Sequence, residues 1–139
     1  MIIIDTNVVS DLMRGGSPSV LSWLSTVADL DIHTTVITRS EIRYGVARLP
    51  VGRRRDDLQR RADALFADIA DRTLPFDAAA ADRYGLLVAS REAVGRPISV
   101  PDAQIASISQ VHRATLATRN VRDFEECGIT VIDPFTHPV

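Results

Sequence analysis

Cysteine is nearly absent from the sequence, and lysine is missing altogether. Cys127 is the only cysteine, so one chain can form neither an internal disulfide nor a cysteine-based zinc site, and a reducing cytoplasm is the expected location. All 16 basic residues are arginine. The absence of lysine excludes mechanisms that need a lysine nucleophile, a Schiff base or a phosphate-binding lysine.

Aromatic residues and long hydrophobic runs are also scarce. With aromatics at 5%, the core must be mainly aliphatic, and nucleic-acid binding by extensive base stacking is disfavoured. No apolar run approaches the roughly 20 residues that span a bilayer, and Asp5 stands where a signal peptide would place basic residues. We therefore expect no membrane contact. The net charge of −2 argues against binding nucleic acid by global charge, but it allows a local basic patch.

The chain length and the order of hydrophobic patterns indicate an α/β fold. A chain of 139 residues fits one domain, residues 1–139. Short β-branched runs alternate with amphipathic segments, which is typical of parallel strands joined by right-handed crossovers. The sequence predicts a three-layer α/β/α domain with a central, mainly parallel sheet of about five strands. The predicted strands are 2–4, 32–37, 73–76, 114–117 and 129–132, and the longer predicted helices begin near 8, 18, 39, 51, 78 and 101.

The first predicted strand ends on a carboxylate. Asp5 cannot continue a buried apolar run without a large desolvation cost, so we expect it at the carboxyl end of the strand, where open α/β sheets bind ligands. One interpretation is helix capping by Asp5, Thr6 or Asn7. The other is that Asp5 coordinates a hard cation, while Thr6 and Asn7 hold the turn and supply supporting hydrogen bonds.

Three further acids stand near predicted strand ends or helix starts: Glu41, Asp102 and Asp123. Each follows a capping residue by three positions, so capping alone explains each one, and Glu41 is expected in the first turn of its helix. Together with Asp5 they predict several helix N-termini turned toward one edge of the sheet. Four converging carboxylates would repel one another unless a cation lay among them, and an oxygen-only site favours Mg²⁺ or Mn²⁺ over zinc. Such a site is typical of metal-dependent phosphodiester hydrolysis.

Four short motifs, in order along the chain, are similar to those of a PIN domain of the VapC type. They are the opening Ile4-Asp5-Thr6-Asn7, then Ser40-Glu41-Ile42 with Gly45, then Gly95-x-Pro97-Ile98 with Asp102-x-x-Ile105-Ala106, and finally Leu116-Ala117-Thr118-Arg119-Asn120-x-x-Asp123-Phe124. The resemblance runs from Met1 to about Phe135 and implies a Mg²⁺- or Mn²⁺-dependent endoribonuclease. It implies an acidic metal site of Asp5, Glu41, Asp102 and Asp123, supported by Thr6, Asn7, Thr118 and Asn120.

The same resemblance implies partners. Members of that family are toxins of type II toxin–antitoxin pairs, which implies a cognate VapB-type antitoxin, an RNA substrate, a homodimer and a heterotetramer or larger assembly with the antitoxin. The antitoxin's C-terminal segment would lie across the active-site groove. One position departs from the pattern, because many relatives place an aspartate where Asn120 stands. This leaves open whether Asn120 or Asp123 completes the metal site.

Basic side chains near the motifs are candidates to bind phosphate groups, namely Arg39, Arg43, Arg119 and Arg122. Three alternatives to a metal-dependent nuclease remain. A haloacid-dehalogenase-like phosphatase is disfavoured because Asn7 replaces its second aspartate and the chain has no lysine. A metal-free ribonuclease would need paired histidines, whereas the histidines here are scattered. The last alternative is a non-catalytic module that binds RNA or an antitoxin.

Overall fold

Five parallel strands form the central sheet of the structure, a computed structural model that describes all 139 residues. The strands lie in the order β3-β2-β1-β4-β5, and every neighbouring pair is parallel. The prediction of an α/β fold with about five strands is therefore confirmed. Their bounds are β1 Ile2–Ile4, β2 Ile32–Thr35, β3 Thr73–Leu74, β4 Thr115–Ala117 and β5 Thr130–Ile132.

Six α-helices cover the two faces of the sheet. They are α1 Thr6–Met13, α2 Pro18–Leu24, α3 Val36–Ala47, α4 Arg53–Asp68, α5 Ala78–Ala93 and α6 Val100–His112. No helix is long and apolar enough to cross a membrane.

Successive side chains of the central strand serve the two faces alternately, as the pleat requires. Ile4 belongs to a core cluster with Val8, Trp23 and Phe66, from the helices α1, α2 and α4. Ile3 belongs to a second cluster made largely by α5 and α6. Because both faces of β1 are covered, an all-apolar strand is stable there. The chain becomes polar at Asp5, where the carboxyl ends of the strands lie.

The start of α3 differs from the prediction. The pattern predicted a strand to residue 37 followed by a helix capped at Thr38. Instead β2 stops at Thr35, whose extended backbone and side chain cap the helix by accepting a hydrogen bond from the Thr38 N–H at 3.1 Å. The β-branched Val36 and Ile37 suggested strand, but the Thr35 cap overrides this weak preference. Glu41 consequently lies in the second turn of α3, so the prediction of a first-turn position was wrong.

Two other elements are shorter than expected. The helix predicted over 51–72 begins at Arg53 and ends at Asp68, and a separate turn of 3₁₀ helix covers Ala70–Arg72. After β4, the short predicted helix is a 3₁₀ turn, Val121–Phe124, and the Asn120 side chain makes no capping hydrogen bond to it. A 3₁₀ turn of this length suffices to reverse the chain before β5 and leaves Asp123 on an exposed turn.

Candidate active site

Asp5 lies at the carboxyl edge of the sheet, directly beside the end of β4. Its N–H donates to the Ala117 carbonyl at 2.9 Å, which continues the parallel ladder one residue past β1. The next residue of the neighbouring strand, Thr118, is fully buried. The topology thus brings together two positions more than a hundred residues apart in the sequence, as open parallel sheets do at their carboxyl ends.

The carboxylate of Asp5 is buried, with only 4% of the residue exposed. Its Oδ1 accepts a hydrogen bond from the Thr6 N–H at 2.8 Å, so Asp5 is the N-cap of α1. Its Oδ2 accepts from the Thr118 hydroxyl at 2.7 Å and, at 3.4 Å, from the Asn7 amide. The capping interpretation is therefore correct, but it accounts for one oxygen only, and a carboxylate retains further acceptor capacity after these bonds.

The predicted supporting residues form a network around this carboxylate. The Asn7 amide donates to the Thr118 hydroxyl oxygen at 3.1 Å, and the Asn7 carbonyl oxygen accepts from the Arg119 N–H at 3.1 Å. The backbone N–H of Asn120 also donates to Thr118 at 3.1 Å. Asn7 and Thr118 therefore act through their side chains, whereas Asn120 contributes only its main chain.

Glu41 reaches the site through Thr6. The Thr6 hydroxyl donates to Glu41 Oε1 at 2.7 Å and lies 3.1 Å from the Thr38 hydroxyl. Because the Thr6 N–H binds Asp5, this single residue bridges the two acids. Glu41 and Thr6 also line a groove of about 220 Å³ between α1, α3 and α4, whose walls include Ile42 and Leu58.

Asp102 and Asp123 form a second pair. Asp102 is in the first turn of α6, where its N–H donates to the capping Ser99 hydroxyl at 3.3 Å, as the capping-box spacing predicted. Asp123 lies on the 3₁₀ turn after β4. Both acids line one cavity of about 230 Å³, together with Arg91, Pro97, Ile98 and Ser99.

The two pairs interact electrostatically. Burial raises the pKa of Asp5 above its usual value, the hydrogen bonds from Thr118 and Thr6 oppose this rise, and the charges of Glu41 and Asp123 add to it.

The pKa of Asp102 is likewise raised, first by burial and then by Asp5 and Asp123, against the lowering effects of Ser99 and Arg91. All four acids therefore contribute to one negative field. No three Asp, Glu, His or Cys side chains form a ready-made ion site, however, so the acids stand as two adjoining pairs.

The arginines predicted from the motifs have different surroundings. Arg39 and Arg43 lie 5.3 and 5.5 Å from the centre of the Phe66 ring, and Arg43 also pairs with Asp63, so both pack on α4. Arg119 lies over Phe135 at 3.8 Å, and Arg122 is exposed on the turn that holds Asp123. None of these contacts tests a phosphate-binding role.

Three arginines that lie outside the four motifs line the cavities that contain the acids. Arg14 and Arg54 lie in the groove with Glu41, and Arg91 lies in the cavity with Asp102 and Asp123. No motif marked them, because each is brought to the site by the packing of its helix. A larger cavity of about 410 Å³ lies beside Arg83 and Arg113, but it contains none of the four acids.

Residues 2–128 match the PIN domain family model, and the chain belongs to this family of α/β domains. This membership gives no support to the phosphatase alternative.

Within the family the chain is similar to named bacterial proteins. It is 36% identical to the plasmid stability protein StbB of Pseudomonas syringae, covering 97% of this chain and 99% of that protein. It is 34% identical to the VapC ribonuclease Y4jK of Sinorhizobium fredii, covering 97% and 98%. It is 32% identical to the toxin FitB of Neisseria gonorrhoeae, covering 97% and 99%. The crystal structure of FitAcB from Neisseria gonorrhoeae superposes with a TM-score of 0.91 at 32% identity, covering 98% of this chain and 99% of that one.

Proposed function

We propose that this chain is a Mg²⁺- or Mn²⁺-dependent endoribonuclease that acts as the toxin of a toxin–antitoxin module. The observation that carries the proposal is the buried carboxylate of Asp5, whose pKa is raised by burial and by the charges of Glu41 and Asp123. Family membership supports it, as do the relatives, one of which is named a ribonuclease and another a toxin.

The donor set fits a hard divalent cation. Asp5, Glu41, Asp102 and Asp123 offer only oxygen atoms, and the site contains no histidine, so Mg²⁺ or Mn²⁺ suits it better than zinc. Mg²⁺ retains several waters and needs only one or two carboxylates in direct contact. Two adjoining pairs of acids are compatible with that requirement. A dication would favour the charged carboxylates of Asp5 and Asp102, whose pKa values are raised first by burial and also by the neighbouring acids.

The reaction we propose is hydrolysis of an RNA phosphodiester bond that leaves 5′-phosphate and 3′-hydroxyl ends. When bound, the ion would lower the pKa of a water and neutralise charge on the phosphate. The chain's own residues fix the geometry: Thr118 and Thr6 hold Asp5, and Thr6 also holds Glu41. We propose that Arg14 and Arg54, which line the groove beside Glu41, contact flanking phosphates.

The partner we propose is an antitoxin of the VapB type. FitAcB and VapBC structures are similar to this chain in fold, and FitAcB is similar in sequence as well. The groove that contains Glu41 has aliphatic walls and charged groups of both signs, Glu41 and the two arginines, which suits a short peptide segment carrying apolar and charged side chains. A segment seated there would also cover Glu41 and so block RNA.

We propose a homodimer for the free toxin, to be tested by its mass in solution.

The catalytic test is cleavage of a fluorescent RNA by the purified chain with Mg²⁺, with Mn²⁺ and with EDTA. We expect cleavage with either metal and none with EDTA, and we expect the Asp5→Asn variant to show only background cleavage while it remains folded by circular dichroism. If the Asp5→Asn variant cut RNA as fast as the parent, the assignment would be wrong. RNA binding without cleavage by the parent would favour the non-catalytic module.

The toxin role needs a separate test in cells. Inducible expression should halt bacterial growth, and co-expression of a short reading frame from directly upstream of the gene should restore it. The Asp5→Asn variant is the matched control, because it keeps the groove that binds the antitoxin. If cells that accumulate the active nuclease grew normally, the toxin role would be contradicted. The proposed RNA cleavage would not be affected by that result.

A further inference from the structure

Arg91 is a buried cation beside the acidic site. It lies in α5, only 4% of it is exposed, and it forms no ion pair with a carboxylate. Burying an arginine without an acidic partner is costly unless its N–H groups are satisfied in another way. An apolar side chain in the same place would often give equal or higher stability than a buried charge. The presence of Arg91 therefore needs an explanation beyond core packing.

Main-chain oxygens accept hydrogen bonds from two of the three guanidinium nitrogens instead. Its Nε donates to the Arg96 carbonyl at 2.7 Å, and its Nη1 donates to the carbonyls of Asp123 and Glu125 at 2.9 and 2.8 Å. Nη1 also lies 3.2 Å from the Cys127 sulfur. One side chain therefore grips two separate segments of the chain: the loop after α5 and the turn after β4.

Those two segments carry one acid each. The loop that contains Arg96 leads to Ser99, the cap of α6, and so to Asp102. The other segment contains Asp123 itself, whose carbonyl is one of the acceptors. Arg91 also lines the cavity that both acids share. Neither acid contacts the other's segment through a hydrogen bond, so the guanidinium of Arg91 is the buried link between the two segments.

We propose that Arg91 is a positioning residue that fixes the spacing between Asp102 and Asp123. The proposal rests on the proposed function, in which these two acids help to hold a divalent ion. A planar guanidinium can bind several carbonyls in fixed directions, whereas an ammonium in the same place is a flexible point charge. If the directional hydrogen bonds of the guanidinium position the acids, lysine cannot replace Arg91. If a positive charge alone positions them, lysine can replace it.

The experiment measures Mn²⁺ binding by water-proton relaxation, together with kcat and KM on RNA, for the parent and for the Arg91→Lys and Arg91→Met variants. We expect both variants to bind Mn²⁺ about 10- to 100-fold more weakly, as for other residues that orient metal ligands. We expect kcat to fall while KM changes little. For Arg91→Met, the direction of the change in Mn²⁺ affinity is informative. Removing a positive charge without moving the acids would strengthen Mn²⁺ binding.

The matched control is Arg96→Gln. Arg96 joins the same two segments from outside, through an ion pair with Glu125 at 2.8 Å and a hydrogen bond to the Arg122 carbonyl, and exposed pairs contribute little. Its Mn²⁺ affinity should stay close to that of the parent. A comparable loss in Arg96→Gln would show that loosening either tie between the segments weakens Mn²⁺ binding, which would overturn a specific role for Arg91.

Each remaining outcome decides between the proposals. If Arg91→Lys or Arg91→Met keeps the parental Mn²⁺ affinity, positioning is overturned and the nuclease proposal stands. If the parent binds Mn²⁺ but does not cleave RNA, the nuclease proposal fails, and the affinity ratio still tests positioning. A parent that binds no Mn²⁺ overturns both. If neither variant folds, Arg91 serves the fold as a whole and positioning is overturned.

Discussion

The two halves of the site are built in different ways. The half around Asp5 is held by side chains that bind one another, since Thr118 and Asn7 reach Oδ2 and Thr6 bridges Asp5 to Glu41. The half around Asp102 and Asp123 is held largely through the main chain. The Asp102 N–H binds its cap, and Asp123 is fixed by its N–H to the Asn120 carbonyl at 3.0 Å and by its own carbonyl.

The difference follows from where each half lies in the fold. Asp5 stands between two central strands, where a buried carboxylate must be surrounded by donors to be tolerated. Asp123 lies on an exposed turn, where water can solvate its carboxylate. The comparison teaches that a change in the first half should disturb both stability and function, whereas a change in the second half should remove charge and leave the fold intact.

The largest effect we expect comes from breaking the first half at Thr118. In Thr118→Val, Asp5 loses its shortest hydrogen bond, and the Asn7 amide loses the nearer of its two acceptors. Leaving buried polar groups unpaired should lower the free energy of unfolding by about 1–3 kcal/mol. Misplacing the Asp5 carboxylate should lower kcat/KM on RNA by up to about 100-fold. Urea denaturation and the fluorescent RNA assay measure the two effects.

The matched control for this change is Thr34→Val. Thr34 is equally buried in the neighbouring strand, where its hydroxyl donates to the Ile4 carbonyl at 3.1 Å. We expect it to cost similar stability and little activity, because it touches no acid. Equal losses of activity in the two variants would show that general loosening of the sheet, and not the position of Asp5, controls the rate.

A smaller effect should follow from removing charge in the second half. Asp123→Asn keeps the turn, because Asp123 holds it through main-chain atoms, and we expect kcat/KM to fall about tenfold with no loss of stability. Asn120→Ala serves as its comparison, because the Asn120 side chain caps nothing and the residue is exposed. We expect that variant to resemble the parent in the same assays. The reverse order of effects would place Asn120, and not Asp123, at the metal.

Sequence patterns predicted the fold well because its strands and helices have strong local signals. The triple isoleucine of β1 and the Asp77 cap of α5 are examples, and Asp77 does accept from the Ala80 N–H at 3.0 Å. The main error, at the start of α3, arose where two β-branched residues, Val36 and Ile37, follow a capping threonine and resemble a strand. The strand propensity of these two residues is weak, and the Thr35 cap decides in favour of the helix.

Sequence patterns predicted less of the site. The four acids and Thr118 could be found because each lies in a short motif, but their arrangement in two pairs depends on helix packing. Arg91 had no local signal at all. It stands on the buried side of an ordinary amphipathic helix, and only the folded chain shows that two of its three carbonyl partners lie more than thirty residues away.

The smallest effect we predict is a pH dependence of the free energy of unfolding that comes from Asp5, in the first half of the site. Burial raises the folded-state pKa of Asp5 above its ordinary value of 3.8, which it keeps in the unfolded chain. As the pH falls from 7 through the raised value, the folded form takes up a proton first, so the free energy of unfolding of the parent should rise relative to that of Asp5→Asn. The gain should be complete below pH 3.8, where Asp5 is protonated in both states.

The measurement is urea denaturation of both proteins at several pH values in EDTA. The difference between them reports the Asp5 carboxylate together with the part of the raised Asp102 pKa that the charge of Asp5 causes. Saturating Mg²⁺ should abolish the gain, because the ion favours the charged carboxylate that the proton would neutralise. A relative loss of stability on acidification would mean that the hydrogen bonds from Thr118 and Thr6 outweigh burial. The Asp5 half would then be arranged to keep its charge without a metal ion.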